Sequence, residues 1–104
     1  MARFDELIHQ PVRLRIMAAL HALDDPEARL DFRTLRDLLG VTDGNLAAHL
    51  RKLEDAGYIR VEKTFVGRKP RTYLALTPRG RTAFEDHVQA LQEILRASPG
   101  DGVE

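Results

Sequence analysis

Apolar positions recur along the chain at the spacings of helices and strands. A first helix is predicted over residues 11–23 and a second over residues 33–39, with all three leucines of the second helix pointing inward. Residues 30–32, between these helices, predict a short strand. Gly40 suits the end of the second helix, because glycine adopts the left-handed conformation that closes helices.

The third helix combines a cap, an apolar stripe and a glycine stop. Leu46, Leu50 and Leu53 recur at i, i+4 and i+7, and Gly57 follows the stripe. Thr42 is suited to cap the first backbone N–H groups of this helix. Because only a tight link separates the second and third helices, the pair predicts a helix-turn-helix.

Small residues and cations occupy the opposite face of the third helix. That face carries Gly44, Ala47, Ala48 and Arg51, with Asn45 and Lys52 beside it. A helix with little bulk can place its backbone close to base edges, and cations contact phosphates. Gly44 costs a helix roughly 0.5–1 kcal/mol relative to alanine. Close approach to DNA explains that cost, although the first turn is where glycine does least harm.

A basic hairpin is predicted after the third helix. Residues 58–63 and 72–76 have the composition and alternation of two strands. The turn between them holds Gly67, Arg68, Lys69, Pro70 and Arg71. A charge run is usually a solvated loop. Here it lies at a hairpin tip after a helix-turn-helix, where cations can reach a neighbouring groove or phosphate, so we interpret it as a basic wing.

The last predicted helix has a wide apolar seam. Thr77 and Pro78 suit its first turn, and apolar residues recur at helical spacing as far as about Arg96. One small core is not expected to cover that much apolar surface, which favours a homodimer; the alternative is a helix that folds back on its own domain. The predicted dimer interface comprises Phe4, Leu7, Ile8, Phe84, Val88, Leu91, Ile94 and Leu95.

Four pieces of the sequence, in order, resemble winged helix-turn-helix transcriptional regulators, similar to the small single-domain relatives of the MarR and ArsR families. The pieces are PVRLRIMAAL, FRTLRDLLGVTDGNLAAHLRKLEDAGYI, VEKTFVGRKPRTYLAL and TPRGRTAF, and they span nearly the whole chain. The resemblance implies an α+β, mainly helical fold with a three-helix core, a small antiparallel wing and a C-terminal dimerisation helix. Residues 1–97 are expected to form this domain, and residues 98–104 a flexible tail.

Net charge at first argues against a nucleic-acid partner, because it is formally zero. The charges are unevenly distributed, however. Residues 49–81 carry nine Lys or Arg and three acids, a net charge of +6, which leaves −6 for the rest of the chain. Such polarity can turn one basic face toward phosphates while the acidic remainder disfavours other orientations.

Other sequence features narrow the class of protein. The 104 residues suit one domain, and the absence of cysteine excludes disulfides and suits a reducing compartment. No apolar run could span a bilayer and no signal peptide is recognisable, so a soluble cytoplasmic protein without a membrane partner is expected. His9, His21, His49 and His87 fall in separate elements, so no metal or cofactor is expected. The sequence shows neither a recognisable catalytic nucleophile nor a phosphate-binding glycine loop, so an enzyme is not expected.

These features predict a sequence-specific, double-stranded DNA-binding regulator of transcription that acts as a homodimer. The predicted DNA-binding residues are Thr42, Asp43, Gly44, Asn45, Ala47, Ala48, His49, Arg51, Lys52, Lys63, Arg68, Lys69 and Arg71. Asn45 can pair with adenine, Asp43 with cytosine, and Ala47 or Ala48 with a thymine methyl group, while the cations contact phosphates. For His49, a phosphate contact and a bond within its own fold stay equally open.

Two alternatives concern the partner. Zero net charge and Asp43 are compatible with a winged-helix module that binds protein in a larger assembly. A small-molecule effector would have to sit at the dimer interface, because the chain has no room for a separate sensing domain.

Overall fold

The computed structural model describes residues 2–97, which form four helices and one three-stranded sheet. The elements, in chain order, are α1 (Pro11–His21), β1 (Leu30–Asp31), α2 (Phe32–Leu39), α3 (Asp43–Asp55), β2 (Ile59–Val66), β3 (Lys69–Leu76) and α4 (Pro78–Ala97). This confirms the predicted order and the mainly helical α+β fold. The predicted tail, residues 98–104, lies outside the described residues.

Helix ends are fixed by local hydrogen bonds. Gln10 caps α1, its side-chain Oε1 accepting the backbone N–H of Arg13 at 2.9 Å. Gly40 ends α2 with a φ of 68°, in the left-handed region, as the sequence predicted. α1 ends at His21, two residues before its predicted end. Among the described helices, none is both long and apolar enough to cross a membrane.

β3 is the central strand of the sheet, with β1 on one side and β2 on the other. Both pairings are antiparallel, and Leu74 of β3 stands opposite Leu30 of β1 and Val61 of β2. Ile59, Leu74 and Val61 share the face of the sheet that covers the core, since side chains alternate along a strand. The sheet therefore closes one side of the helical core.

The core is formed where α1 meets the helix-turn-helix and the sheet. Its fully buried side chains include Ile16, Met17, Leu35, Leu46 and Leu53. Each contributes about 1.5–3 kcal/mol through removal from water. The leucine stripe of α3 is therefore the inward face, as its spacing predicted.

Leu38 of α2 was predicted to point inward, and this is wrong, because its side chain is 61% exposed. α2 has only eight residues, and its buried stripe runs through Phe32, Leu35 and Leu39 at i, i+3 and i+7. Leu38 lies beside that stripe.

A tight corner joins α3, β2 and α4, and we call it the Tyr58–Gly80 joint. Gly57 leaves α3 with a φ of 79°, and the carbonyl of Tyr58 accepts the N–H of Thr77 at 3.1 Å. The Thr77 hydroxyl donates to the Gly57 carbonyl at 2.6 Å and accepts the N–H of Gly80 at 2.9 Å. A Cβ on Gly80 would lie 2.0 Å from the Tyr58 oxygen, so only glycine fits there.

The N-terminal segment is bound to α4 through His87, which is fully buried. Its Nδ1 accepts the N–H of Asp5 at 2.9 Å, and its Nε2 lies 3.4 Å from Nδ1 of His9. The four histidines were expected to be separate, whereas two of them meet here, with the Phe4 ring beside both. The same packing buries Ile8 completely. Burial and the charge of His9 lower the pKa of His87.

Acid should destabilise the fold through His87. Its native pKa lies below the ordinary value of 6.5, so the unfolded chain takes up the proton more readily than the native one. The free energy of unfolding should therefore fall as the pH falls from about 7 to about 5, by up to roughly 1.4 kcal/mol per pH unit for one such group. Urea denaturation across this range measures the slope.

His87→Gln is the informative variant, because glutamine keeps an acceptor for the Asp5 N–H and does not titrate. It should show a shallower slope than the wild type, with the remainder arising from groups such as His49, whose pKa is also lowered. Equal slopes in the two proteins, or a fold that gains stability in acid, would contradict this assignment.

Candidate nucleic-acid interface

The first two turns of α3 present the predicted recognition surface. Thr42, Asp43, Gly44, Asn45 and Ala48 are exposed. Thr42 caps the helix as predicted, because its hydroxyl accepts the backbone N–H of Asn45 at 3.1 Å. The Asn45 side chain is thus separate from the cap and stands on the exposed face. Ala47 is half-buried at its edge.

Asp43 is engaged within the protein. Its carboxylate accepts a hydrogen bond from Nη1 of Arg36 at 2.9 Å, while Arg36 also donates to Asp37. These hydrogen bonds, of which the one to Asp43 has the larger effect, raise the pKa of Arg36. They fix the Arg36 guanidinium at the junction of α2 and α3. A base contact by Asp43 would have to compete with this pair.

His49 bonds to its own fold. Its Nδ1 lies 3.0 Å from Nη1 of Arg13, and a guanidinium can only donate, so Nδ1 is the acceptor and the ring hydrogen is on Nε2. Burial first, then the charges of Arg13 and Lys52, lower the pKa of His49. Of the two roles predicted for His49, a phosphate contact or a bond within its own fold, the structure favours the second, with a neutral and half-buried ring.

The wing hairpin is longer and its turn tighter than predicted. β2 and β3 pair without interruption up to Val66 and Lys69, so the loop is Gly67 and Arg68 alone. Gly67 has a φ of 66° and Arg68 does not have a positive φ, which is the pattern of a type II′ turn. The three residues before Gly67 are β-branched or aromatic and extend the strand. Residues 69–71 therefore lie in β3, which corrects the predicted turn.

The outer half of the hairpin stands clear of the domain. β1 pairs with Tyr73 and Leu74 only, so from Thr72 outward β3 has β2 as its one neighbour. Four residues beyond Tyr73, at about 3.3 Å each, carry the wing about 13 Å past the three-stranded sheet. Pro70 is tolerated there, since proline suits strands with a free edge.

A groove of about 300 Å³ runs between the wing on one side and α2 with the first residue of α3 on the other. It is lined by Lys69, Pro70, Arg71 and Thr72 on one side and by Asp31, Phe32, Arg33, Arg36 and Asp43 on the other. Arg33 and Arg36 were not predicted as part of the site. The i, i+3 spacing of these cations on the outer face of α2 was visible in the sequence, but only the fold sets that face opposite the wing.

The cations of α3 and the wing remain available to a polyanion. Lys63, Arg68, Lys69 and Arg71 are exposed, as are Arg51 and Lys52. Within residues 2–97 the arginines in ion pairs are at 29, 36 and 60, outside these predicted contacts. The exposed cations therefore form a basic surface along α3 and the wing.

Part of the predicted dimer interface, which combines the N-terminal segment and α4, is buried within the single chain. Ile8 and Phe84 are at most 8% exposed and belong to the core of the single chain, so they are not available to a partner, which corrects the predicted interface. Ile94 and Leu95 are 54% and 66% exposed. The other predicted interface residues, Phe4, Leu7, Val88 and Leu91, are half-buried.

The chain belongs to the winged helix DNA-binding domain family, whose pattern matches residues 12–95. This confirms the resemblance on which the predicted fold rested. The protein is therefore a DNA-binding winged helix of the kind found in transcriptional regulators.

Individual proteins are similar to this chain in sequence or in structure. An uncharacterized protein of Methanocaldococcus jannaschii is 34% identical over 93 residues, covering 89% of this chain and 94% of that protein. A transcriptional regulator homologue of Pyrococcus horikoshii OT3 has a similar structure, with a TM-score of 0.78, 29% identity and coverage of 88% and 87% of the two chains. A regulator assigned to the MarR family in Enterococcus faecalis V583 has a TM-score of 0.65, 27% identity and coverage of 86% and 76%.

Gly44→Ala should separate DNA binding from folding. No atom lies within 4 Å of a Cβ built on Gly44, so the fold accepts alanine. Helix propensity should raise the free energy of unfolding by up to about 0.5–1 kcal/mol. The methyl group would stand on the surface predicted to approach DNA and should weaken duplex binding by about tenfold, roughly 1.4 kcal/mol.

Gly80→Ala is the matched contrast. There the added Cβ meets the Tyr58 carbonyl, and the variant should lose about 1–3 kcal/mol of stability. Thermal melting and fluorescence anisotropy with a labelled duplex measure both effects. Wild-type binding by a stable Gly44→Ala protein would mean that the start of α3 does not lie against DNA.

Proposed function

We propose that this protein regulates transcription in the cytoplasm by binding a specific duplex sequence as a homodimer. The observation that carries the proposal is the exposed, uncrowded start of α3 beside a projecting basic wing. In this mechanism α3 enters the major groove with its N-terminal end nearest the base edges. The wing then lies along the adjacent minor groove or phosphate backbone.

Base readout rests chiefly on Asn45 in this proposal. Its amide is exposed on the first turn, and an amide can bond adenine through both its oxygen and its nitrogen. Ala48 beside it offers a methyl-sized contact to thymine. Asp43 is a weaker candidate for cytosine, since Arg36 already occupies its carboxylate.

Affinity rests on phosphate contacts in this proposal. The contributors are Arg51, Lys52, Lys63, Arg68, Lys69 and Arg71, and the groove adds Arg33. Each phosphate neutralised releases counterions, so the logarithm of the binding constant should fall with the logarithm of salt concentration by about 0.9 per contact. A salt titration therefore tests duplex binding against the alternative of a purely protein-binding module.

Asn45→Ala should remove discrimination at one base pair in each half-site. The expected loss is about 1–3 kcal/mol against single-base-pair variants of a duplex selected by the wild type, with affinity for random duplex nearly unchanged. Stability should hold, because the cap uses the Asn45 backbone N–H, which alanine retains. Competition anisotropy with the variant duplexes measures it. Unaltered base preference would place specificity elsewhere, in DNA shape or in the wing.

Dimerisation should depend on the exposed end of the α4 seam. Replacing Ile94 and Leu95 by lysine places charge on an apolar surface that is outside the monomer core, so the variant should fold as a monomer. Sedimentation equilibrium measures its mass. Lysines at Gln89 and Gln92, also exposed on α4, are the matched control and should leave the dimer intact. A folded, dimeric Ile94→Lys, Leu95→Lys protein would move the interface elsewhere.

A further inference from the structure

The outer part of the wing exposes apolar side chains as well as cations. Phe65 is 69% exposed, the highest fraction among the large hydrophobic residues in the described part of the chain, and Val66 is 51% exposed. Phe65 stands opposite Pro70 across the hairpin, one pair in from the turn-flanking pair of Val66 and Lys69. Neither Phe65 nor Pro70 contributes to the buried core. Strand propensity suits an aromatic residue here, but burial in the core does not account for the ring at this position.

The strand register places Phe65 and Pro70 on a defined face of the wing. Side chains alternate, so Phe65 shares its face with Lys63, Val61 and Ile59. Nearer the domain this face covers the core, and further out Pro70 lines the groove opposite Asp43 at the start of α3. The apolar pair therefore lies on the face of the wing that continues the core-facing side of the sheet, and Pro70 borders the groove between the wing and α2 with the first residue of α3.

Charge indicates what covers this apolar pair. Residues 63–72 contain four cations and no acid. An apolar protein surface would leave those cations to be desolvated without partners, whereas a nucleic acid supplies phosphates on both sides of an apolar base step. Apolar side chains flanked by cations are how proteins wedge into the minor groove of a duplex.

We propose that Phe65, backed by Pro70, is a wedge that enters the DNA minor groove beside each half-site and partly unstacks one base step. The proposal rests on the proposed duplex binding and adds a contact of a different kind to it. The cations hold the wing against phosphates, and the ring contributes stacking and shape selectivity. Easily unstacked pyrimidine–purine steps should be favoured at that position, because unstacking them is least costly.

The test compares Phe65→Ala with the wild type on a duplex selected from a random pool by the wild type. Removing the ring should weaken binding about tenfold at every salt concentration and leave the salt slope unchanged. The double variant Arg68→Ala, Lys69→Ala should instead flatten the slope. Phe65→Leu, which keeps an apolar wedge, should restore most of the affinity. Leu38→Ala is the matched control, being a similarly exposed apolar residue on α2, and should bind as the wild type does.

A second measurement detects the unstacking of the base step by fluorescence. 2-Aminopurine, moved through the flanking minor-groove positions of the duplex, should brighten at one step on wild-type binding and stay dim with Phe65→Ala. Wild-type affinity and fluorescence in Phe65→Ala would overturn the wedge alone, as would an altered salt slope, which would mean that the ring only positions the cations. Failure of the wild type to bind any duplex would overturn the proposed function, and the wedge with it.

Discussion

The Tyr58–Gly80 joint, where α4 packs against the chain that follows α3, sets the directions of the recognition helix, the wing and α4. Gly80 lets the first turn of α4 rest on the Tyr58 carbonyl, at a distance that no side chain allows. Thr77 bonds to both Gly57 and Gly80 and ties the two chain segments together. The recognition helix ends here, the wing begins here and α4 begins here, so one corner fixes the relative directions of all three.

This arrangement separates the surfaces that stabilise the fold from those that are free to bind. α3 buries its leucines, and in its outward first turn a Cβ on Gly44 would stand in open space. The wing likewise projects beyond the sheet with exposed cations. Side chains at such positions can be selected for DNA binding with little cost in stability. The chain belongs to the winged helix DNA-binding domain family, so DNA binding is the function that these exposed positions can serve.

Periodicity was sufficient to predict every element of the fold, whereas contacts between distant segments could not be predicted. The sequence gives Leu35 and Leu38 the same apolar character, so both were expected to face the core. The two-turn helix α2 makes only a narrow contact with the core, and this leaves Leu38 exposed. Sequence spacing also cannot tell a dimer seam from a core, and Ile8 belongs to the core because the N-terminal segment docks on α4 through His87. Within the candidate site, the α3 surface was predicted directly, while the groove cations of α2 required the fold.

Selection of bound duplexes from a random pool, at low and at physiological salt, would show whether the protein binds a specific duplex sequence as a symmetric dimer. In the proposed homodimer, two basic wings and two recognition helices are related by two-fold symmetry, which predicts recovery of a palindrome whose half-sites are about one helical turn apart, with affinity that falls steeply as salt rises. Recovery of no common sequence, together with binding that is insensitive to salt, would mean that the protein does not recognise a specific duplex through its basic surface.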